Sequence, residues 1–266
     1  MKNNVKNFND TVWGYLIKQG LLKVPAVTII FWTIKLLSTA LGESISDYLV
    51  HTINPVFAVI GGAIFFSIAI IIQFFARRYI PWIYWLTVVM VAIFGTMTAD
   101  VVHIVLGVPY LISTVFFTIA LAVIFFVWYK VEKTLSIHSI RTPRREIFYW
   151  ATVVTTFALG TATGDMTAIT FNLGYLTSGI LFAVLFILPL FTYRLFKADE
   201  VLTFWLAYIF TRPLGASFAD WFGRTPDLGG IGFGTGKTSI VLSVLIVIFV
   251  AYLALTGKDK KNHNPS

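Results

Sequence analysis

Eight apolar runs divide the chain, near 25–48, 55–76, 81–105, 109–130, 147–169, 173–194, 199–222 and 238–256. Each is close to the roughly 20 residues of helix that cross a bilayer core. Pro25, Pro55, Pro81 and Pro109 stand at or near the starts of runs, where proline is tolerated. Even-numbered runs are apolar all round, as in Phe65–Phe75 and Val115–Val127, which suits contact with lipid. Odd-numbered runs are interrupted by polar residues. The first reads FWTIKLLSTALGESISD, and its Lys35, Thr39, Glu43 and Asp47 recur at helical spacing as one slowly drifting polar stripe. The pattern predicts helices with an apolar back and a polar strip turned away from lipid.

Composition supports a membrane protein. The 266 residues are 58% hydrophobic and only 12% charged, about half the charge of a soluble domain. Mean hydropathy is +0.83. There is no cysteine, so disulfides and thiolate metal sites are excluded. Residues 1–23 lack the pattern of a cleaved signal peptide, so the first span is expected to be kept. The net charge of +8 does not indicate nucleic acid, because the basic residues sort by loop. Sixteen fall on one side: Lys2, Lys6, Lys18 and Lys23; Arg77 and Arg78; Lys130, Lys133, Arg141, Arg144 and Arg145; Arg194 and Lys197; Lys258, Lys260 and Lys261. Arg224 and Lys237 fall on the other, and Lys35 and Arg212 within spans. The positive-inside rule then predicts cytoplasmic N and C termini.

The odd spans repeat a frame, W-x9-G-x4-D. Trp32, Gly42 and Asp47 recur as Trp85, Gly95 and Asp100, as Trp150, Gly160 and Asp165, and as Trp205, Gly215 and Asp220. Two helices per copy give four repeats of the same orientation, around an axis along the membrane normal. Four residues after each glycine stands Ser46, Ala99, Gly164 or Ala219, and small-xxx-small lets helix backbones approach closely in lipid. The expected fold is all-α and polytopic: eight transmembrane helices as four parallel two-helix repeats, odd helices central and even ones peripheral. The frame divides one membrane domain into repeats 25–78, 79–140, 141–197 and 198–257, with cytoplasmic segments 1–24 and 258–266. The strings KVPAVTIIFWTIKLLSTALGESISD and GGIGFGTGKTS, with the repeated frame, resemble a family of bacterial membrane proteins. That family has four tandem copies of a two-helix repeat, each with a characteristic tryptophan. The resemblance covers essentially the whole chain and implies an eight-helix inner-membrane protein. The family has no known function, so no activity comes with it.

Charges inside spans are costly, about 2.5–3.5 kcal/mol each at a helix centre on insertion scales, and usually face a bundle interior or water. Glu43, Asp47, Asp100, Asp165 and Asp220 outnumber Lys35 and Arg212, an excess that suits a cation or proton. The competing reading places the aspartates at the outer interface as solvated helix ends. His51 and His103 share a helix face with Asp47 and Asp100, which extends the four aspartates to a metal-ligand set of Asp47, Asp100, Asp165, Asp220, His51 and His103. Trp32, Trp85, Trp150 and Trp205 read either as interfacial anchors or, with Gly42, Gly95, Gly160 and Gly215, as packing or gating positions. Pro213 is expected to kink its helix, freeing carbonyls that could bind a cation. GGIGFGTGKTS is no P-loop, since Ile231 stands where the motif needs glycine. It reads as a Gly-rich lid or re-entrant segment. The functional expectation is an inner (plasma) membrane transporter of a small cation, as metal ion or proton-coupled. A non-transporting sensor or scaffold is the alternative, and a membrane-embedded enzyme a weaker one. No catalytic motif and no cofactor are expected. The expected partners are the lipid bilayer and a small cation or proton, with a homo-oligomer left open and nucleic acid excluded.

Overall fold

The structure, a computed structural model, describes residues 22–259. The readings that concern residues 1–21 and 260–266 lie outside the described residues. Eight long helices account for nearly all of the rest: α1 (Ile29–Thr52), α2 (Pro55–Phe75), α3 (Pro81–Asp100), α4 (Tyr110–Glu132), α5 (Pro143–Asp165), α6 (Gly174–Phe196), α7 (Glu200–Gly223) and α8 (Thr235–Thr256). Five segments are long and apolar enough to cross a membrane: Pro55–Phe75, Pro81–His103, Tyr110–Glu132, Gly174–Phe196 and Thr235–Thr256. The protein is thus an all-α polytopic membrane protein. The remaining three helices, α1, α5 and α7, carry charges that the bundle buries.

Local chemistry sets the helix starts. Thr28 caps α1 by accepting from the Phe31 amide at 3.2 Å, so this helix begins after the extended Pro25 segment rather than at it. Pro55, Pro81 and Pro143 each open a helix, where a missing N–H costs nothing. Pro143 and the capping Thr142 start α5 four residues before its apolar run, so Arg144 and Arg145 lie in its first turn.

Helices α1, α3, α5 and α7 form a closed ring, each packed against two neighbours. The glycines set the approach. A Cβ on Gly42 would meet the Ala92 carbonyl carbon at 2.7 Å, and one on Gly95 would meet the Phe157 Cβ at 3.0 Å. One on Gly160 would strike Arg212 and Pro213, and one on Gly215 would strike Thr39 and the Ala40 nitrogen. The contact obeys one rule around the ring: each glycine faces the residue three positions before the next repeat's glycine. Four copies of one frame thereby generate a pseudo-four-fold axis.

The even helices lie outside, and each leans mainly on the odd helix of the following repeat: α2 on α3, α4 on α5, α6 on α7, and α8 back onto α1. Their outer faces, including Phe57, Phe65, Phe116 and Ile248, are exposed and apolar, as lipid contact requires.

An aromatic layer closes the tryptophan end of the ring. The residue before each tryptophan packs on the tryptophan of the next repeat. Phe31 lies 5.6 Å from Trp85, Tyr84 5.7 Å from Trp150, Tyr149 6.3 Å from Trp205 and Phe204 5.6 Å from Trp32, centroid to centroid. Trp85, Trp150 and Trp205 are buried, and Trp32 is half-buried. The interfacial-anchor reading of these tryptophans therefore gives way to packing around the axis. The sequence pattern could not separate the two, because a tryptophan at that depth suits either surrounding. Beside this layer Lys23 Nζ reaches Glu146 Oε2 at 2.5 Å, and Gln73 Nε2 donates to Glu146 Oε1 at 3.0 Å, a buried link absent from the sequence reading.

Candidate functional site

The repeated frame stacks ionisable residues in layers along the axis. Three residues after the tryptophans stand Lys35, Val88, Val153 and Tyr208; seven after, Thr39, Ala92, Phe157 and Arg212; eleven after, Glu43, Thr96, Thr161 and Ala216; fifteen after, the four aspartates.

Arg212 occupies the centre, 1% exposed. Its Nη2 donates to Glu43 Oε2 at 2.6 Å, to Thr161 Oγ1 at 2.8 Å and to Thr96 Oγ1. One arginine from the fourth repeat thus meets the same layer of the other three. The two threonines can accept because their own hydroxyl protons are spent on the carbonyls of Ala92 and Phe157, one turn back. Nε and Nη1 of Arg212 have no hydrogen-bond partner. Glu43 is paired by Arg212 from a neighbouring helix, not by Lys35 of its own stripe. Lys35 is equally buried, its Nζ 4.1 Å from the Phe157 ring centroid and 4.0 Å from that of Tyr208. The bend expected at Pro213 leaves α7 continuous, with the proline packed against Gly160 and the Thr211 carbonyl accepting from Thr39 Oγ1 at 3.1 Å.

The four aspartates converge at the far end of the ring. Asp47 and Asp220 are buried and share Arg224, through Nη2 at 2.9 Å and Nε at 3.1 Å. Asp100 and Asp165 are half-buried and have no arginine of their own; Ser46 Oγ donates to Asp100 Oδ2 at 3.5 Å. Asp100, Asp165 and Asp220 each lie within electrostatic range of Glu43 and Asp47, and Asp165 of both Asp100 and Asp220. Tyr110 and Tyr175 face the same cluster. Helices α3 and α5 do not stop at their aspartates. Each runs on as a π-helical turn, Val101–Val105 and Met166–Thr170, a widened geometry frequent at functional sites.

Arg224 is the functional side chain that sequence reasoning underused, having assigned it to an outer loop. The available signal was its spacing: four residues beyond Asp220, as His51 is four beyond Asp47. The Gly-rich segment holds it in place. The amides of Ile231, Gly232 and Phe233 donate to the carbonyls of Trp221, Arg224 and Phe222 at 2.7, 2.8 and 3.0 Å. A Cβ on Gly230 would collide with the Arg224 carbonyl. This segment is a strap over the end of α7.

The metal set is not assembled. Among the described residues no three histidine, aspartate and glutamate side chains are arranged to hold a metal ion. His103 directs Nδ1 to the Val108 carbonyl at 3.0 Å and Nε2 to Ser113 Oγ at 3.3 Å, so the π turn commits both ring nitrogens. His51 is exposed, with Nδ1 on the Asp47 carbonyl at 2.6 Å. Shared helix faces placed these rings near aspartates in sequence, but both nitrogens of His103 and Nδ1 of His51 point at backbone or Ser113.

These features define a polytopic bundle of four two-helix repeats around a buried ionic axis. The family model named Repeat of Unknown Function (DUF347) matches residues 30–79, 83–134, 148–199 and 203–259. The matches fall on the four structural repeats and cover most of the chain, which therefore belongs to this family. No curated protein and no solved structure matches the chain.

Proposed function

We propose that the protein is an inner-membrane transporter of a small cation, with protons competing for the same carboxylates. The observation that supports this reading is the gathering of Asp47, Asp100, Asp165 and Asp220 at one end of the ring, where Arg224 bridges only Asp47 and Asp220. With Glu43 neutralised by Arg212, the far end keeps an excess of negative charge in a partly desolvated place. Such an excess draws in a cation or retains protons. Asp100 and Asp165 are the more accessible pair and would meet an incoming cation first; in this conformation no three described carboxylates are drawn together to ligate it. The aromatic layer blocks the other end of the axis, so passage requires the bundle to open alternately rather than stand as an open pore. The excess of basic residues on the tryptophan side supports a cytoplasmic location for that side.

The test is stabilisation of the purified protein by Na, K, Mg, Ca, Mn and Zn salts, from mildly acidic to mildly alkaline pH. One of these cations is expected to stabilise the wild type, by about 2.7 kcal/mol at a hundredfold excess over its dissociation constant. Because protons occupy the same oxygens, the effect weakens as pH falls. Asp100→Asn with Asp165→Asn is expected to remove the response while leaving both Arg224 bridges intact. A wild type that responds to no cation, or a double variant that responds like the wild type, refutes the cation site.

Orientation has a direct check, since the chain has no cysteine to remove. Cysteine at Arg78 or Lys133 is expected to react with an impermeant thiol reagent only from the cytoplasmic side, and cysteine at the exposed Asp227 only from outside. Reversed labelling would turn the carboxylate cluster toward the cytoplasm.

A further inference from the structure

A cavity of about 560 Å³ lies off the axis at the tryptophan end, apart from the carboxylate cluster. That volume falls in the range of small-molecule sites. Val27, Trp32, Leu190 and Phe204 form its apolar wall, and Ser136, His138, Glu200 and Lys258 stand among its polar residues. The internal repeat explains why the hollow lies beside Trp32. Around Trp205 the corresponding corner is filled. Phe125 and Trp128 of α4 lie 5.1 and 5.8 Å from the Trp205 ring, and Phe148 stacks on Trp128 at 6.0 Å, centroid to centroid. Phe125 and Trp128 stand forty and forty-three residues after Trp85, and Phe148 stands two before Trp150. One repeat further on, the same offsets from Trp150 and Trp205 give Leu190, Tyr193 and Thr203. All three line the cavity, and each is smaller than its counterpart. Trp32 therefore borders open space where Trp205 meets rings, and it alone of the four tryptophans is half-buried.

Depth and charge select the occupant. Tyr193 lies in the last turn of α6, Glu200 in the first turn of α7 and Lys258 just beyond α8. The basic residues of this side gather at the same height, where the headgroups of a bilayer lie. The cavity carries one base and one acid. Lys258 Nζ donates to the Tyr252 hydroxyl, which uses one of the three donors of its ammonium. Glu200 is exposed, with Oε1 3.7 Å from His138 Nε2. An anionic headgroup would be drawn to the lysine and repelled by the glutamate, whereas a phosphate joined to an ammonium satisfies both. Deeper along α1, α6 and α7 lies an apolar hollow of about 420 Å³, bordered by Leu37, Ala40, Phe186 and Phe218. Trp32 lines the first hollow and Phe186 the second, and their rings pack edge-on with centroids 5.5 Å apart. A polar mouth followed by an apolar trough fits a headgroup followed by an acyl chain.

We propose that this cavity binds one zwitterionic phospholipid from the leaflet on the tryptophan side, with its phosphate at Lys258, its ammonium at Glu200 and an acyl chain laid over Trp32 toward Phe186. The lipid supplies to Trp32 the packing that Phe125 and Trp128 supply to Trp205. It also completes the aromatic layer, because Trp32 and Phe204 belong both to that layer and to the cavity wall. The site stands independently of the cation reading.

The test counts lipids on the purified full-length protein by native mass spectrometry, after delipidation in detergent and titration with phosphatidylethanolamine or phosphatidylglycerol. Wild type is expected to take up one phosphatidylethanolamine before further lipids add, and to bind phosphatidylglycerol about tenfold more weakly. Glu200→Gln and Lys258→Ala, both at exposed positions, are each expected to weaken phosphatidylethanolamine about tenfold, as loss of one charge-assisted hydrogen bond would. The triple variant Leu190→Phe, Tyr193→Trp and Thr203→Phe rebuilds the filled corner around Trp205 and is expected to lose the first lipid. Ile119→Trp, on the exposed face of α4, is expected to keep it. Gel filtration shows whether the triple variant is folded; if it is not, the two charge variants decide. Equal uptake of the two lipids, wild-type uptake in the charge variants, or a folded triple variant that still takes the first lipid would each overturn the proposal.

Discussion

Arg212→Met is expected to destabilise the bundle by about 3–5 kcal/mol, the cost of removing one partner from a buried ion pair. The change strands the Glu43 carboxylate in the ring, where it is 3% exposed and keeps no other charged donor. It also removes the donor shared with Thr96 and Thr161, so three repeats lose their common partner at once. The loss should be repaired in part by Glu43→Gln, because the amide carries no charge to strand. Unfolding of the single and double variants in detergent measures this as a coupling energy. Additive losses would mean that the two side chains do not depend on one another, and the axis would then lack its central ion pair.

Gly42→Leu is expected to cost at least about 3 kcal/mol, the upper end for overpacked interiors, or to prevent assembly. The new side chain would meet the backbone of Ala92, with its Cα at 3.0 Å from the first added atom, and a backbone cannot rotate away. Gly61→Leu is the control: nothing lies within 4 Å of its Cβ position, and it sits on the peripheral α2. That variant should stay within about 0.5 kcal/mol of wild type, as exposed substitutions usually do. Thermal unfolding and gel filtration of both variants decide the matter. Equal melting would show that the ring tolerates separation at the glycine contact, contrary to the close approach of the four odd helices.

Much of the candidate site was legible in the repeat. The four aspartates were identifiable because the frame places them at one height, and Glu43 because it shares a stripe with Lys35 and Asp47. Their partners were not legible. Nothing in the first repeat's sequence says that Glu43 meets an arginine 169 residues away. Arg224 looked like an outer-loop charge because hydropathy records only where a span ends. Whether the next loop folds back over the helix depends on backbone contacts of Gly230 and Gly232 that have no hydropathy signature. His103 shows the converse: a shared helix face suggested metal ligation, and a π turn redirected both nitrogens.

The eight spans, the four-fold frame, the close-packing glycines and the heights of the charges can be read from the order of residues alone. These follow from local properties, namely apolar length, helical period and side-chain size, which a chain carries whatever its neighbours. Which helices are neighbours emerges in the folded bundle. It handed each even helix to the next repeat, closed α8 onto α1, turned the tryptophans into an axial layer and put Arg212 at the centre. An apolar helix face is as well satisfied by lipid as by protein, so hydropathy cannot choose between them. In the folded ring the choice is made by which backbones can approach at glycine and by which buried charges find a partner.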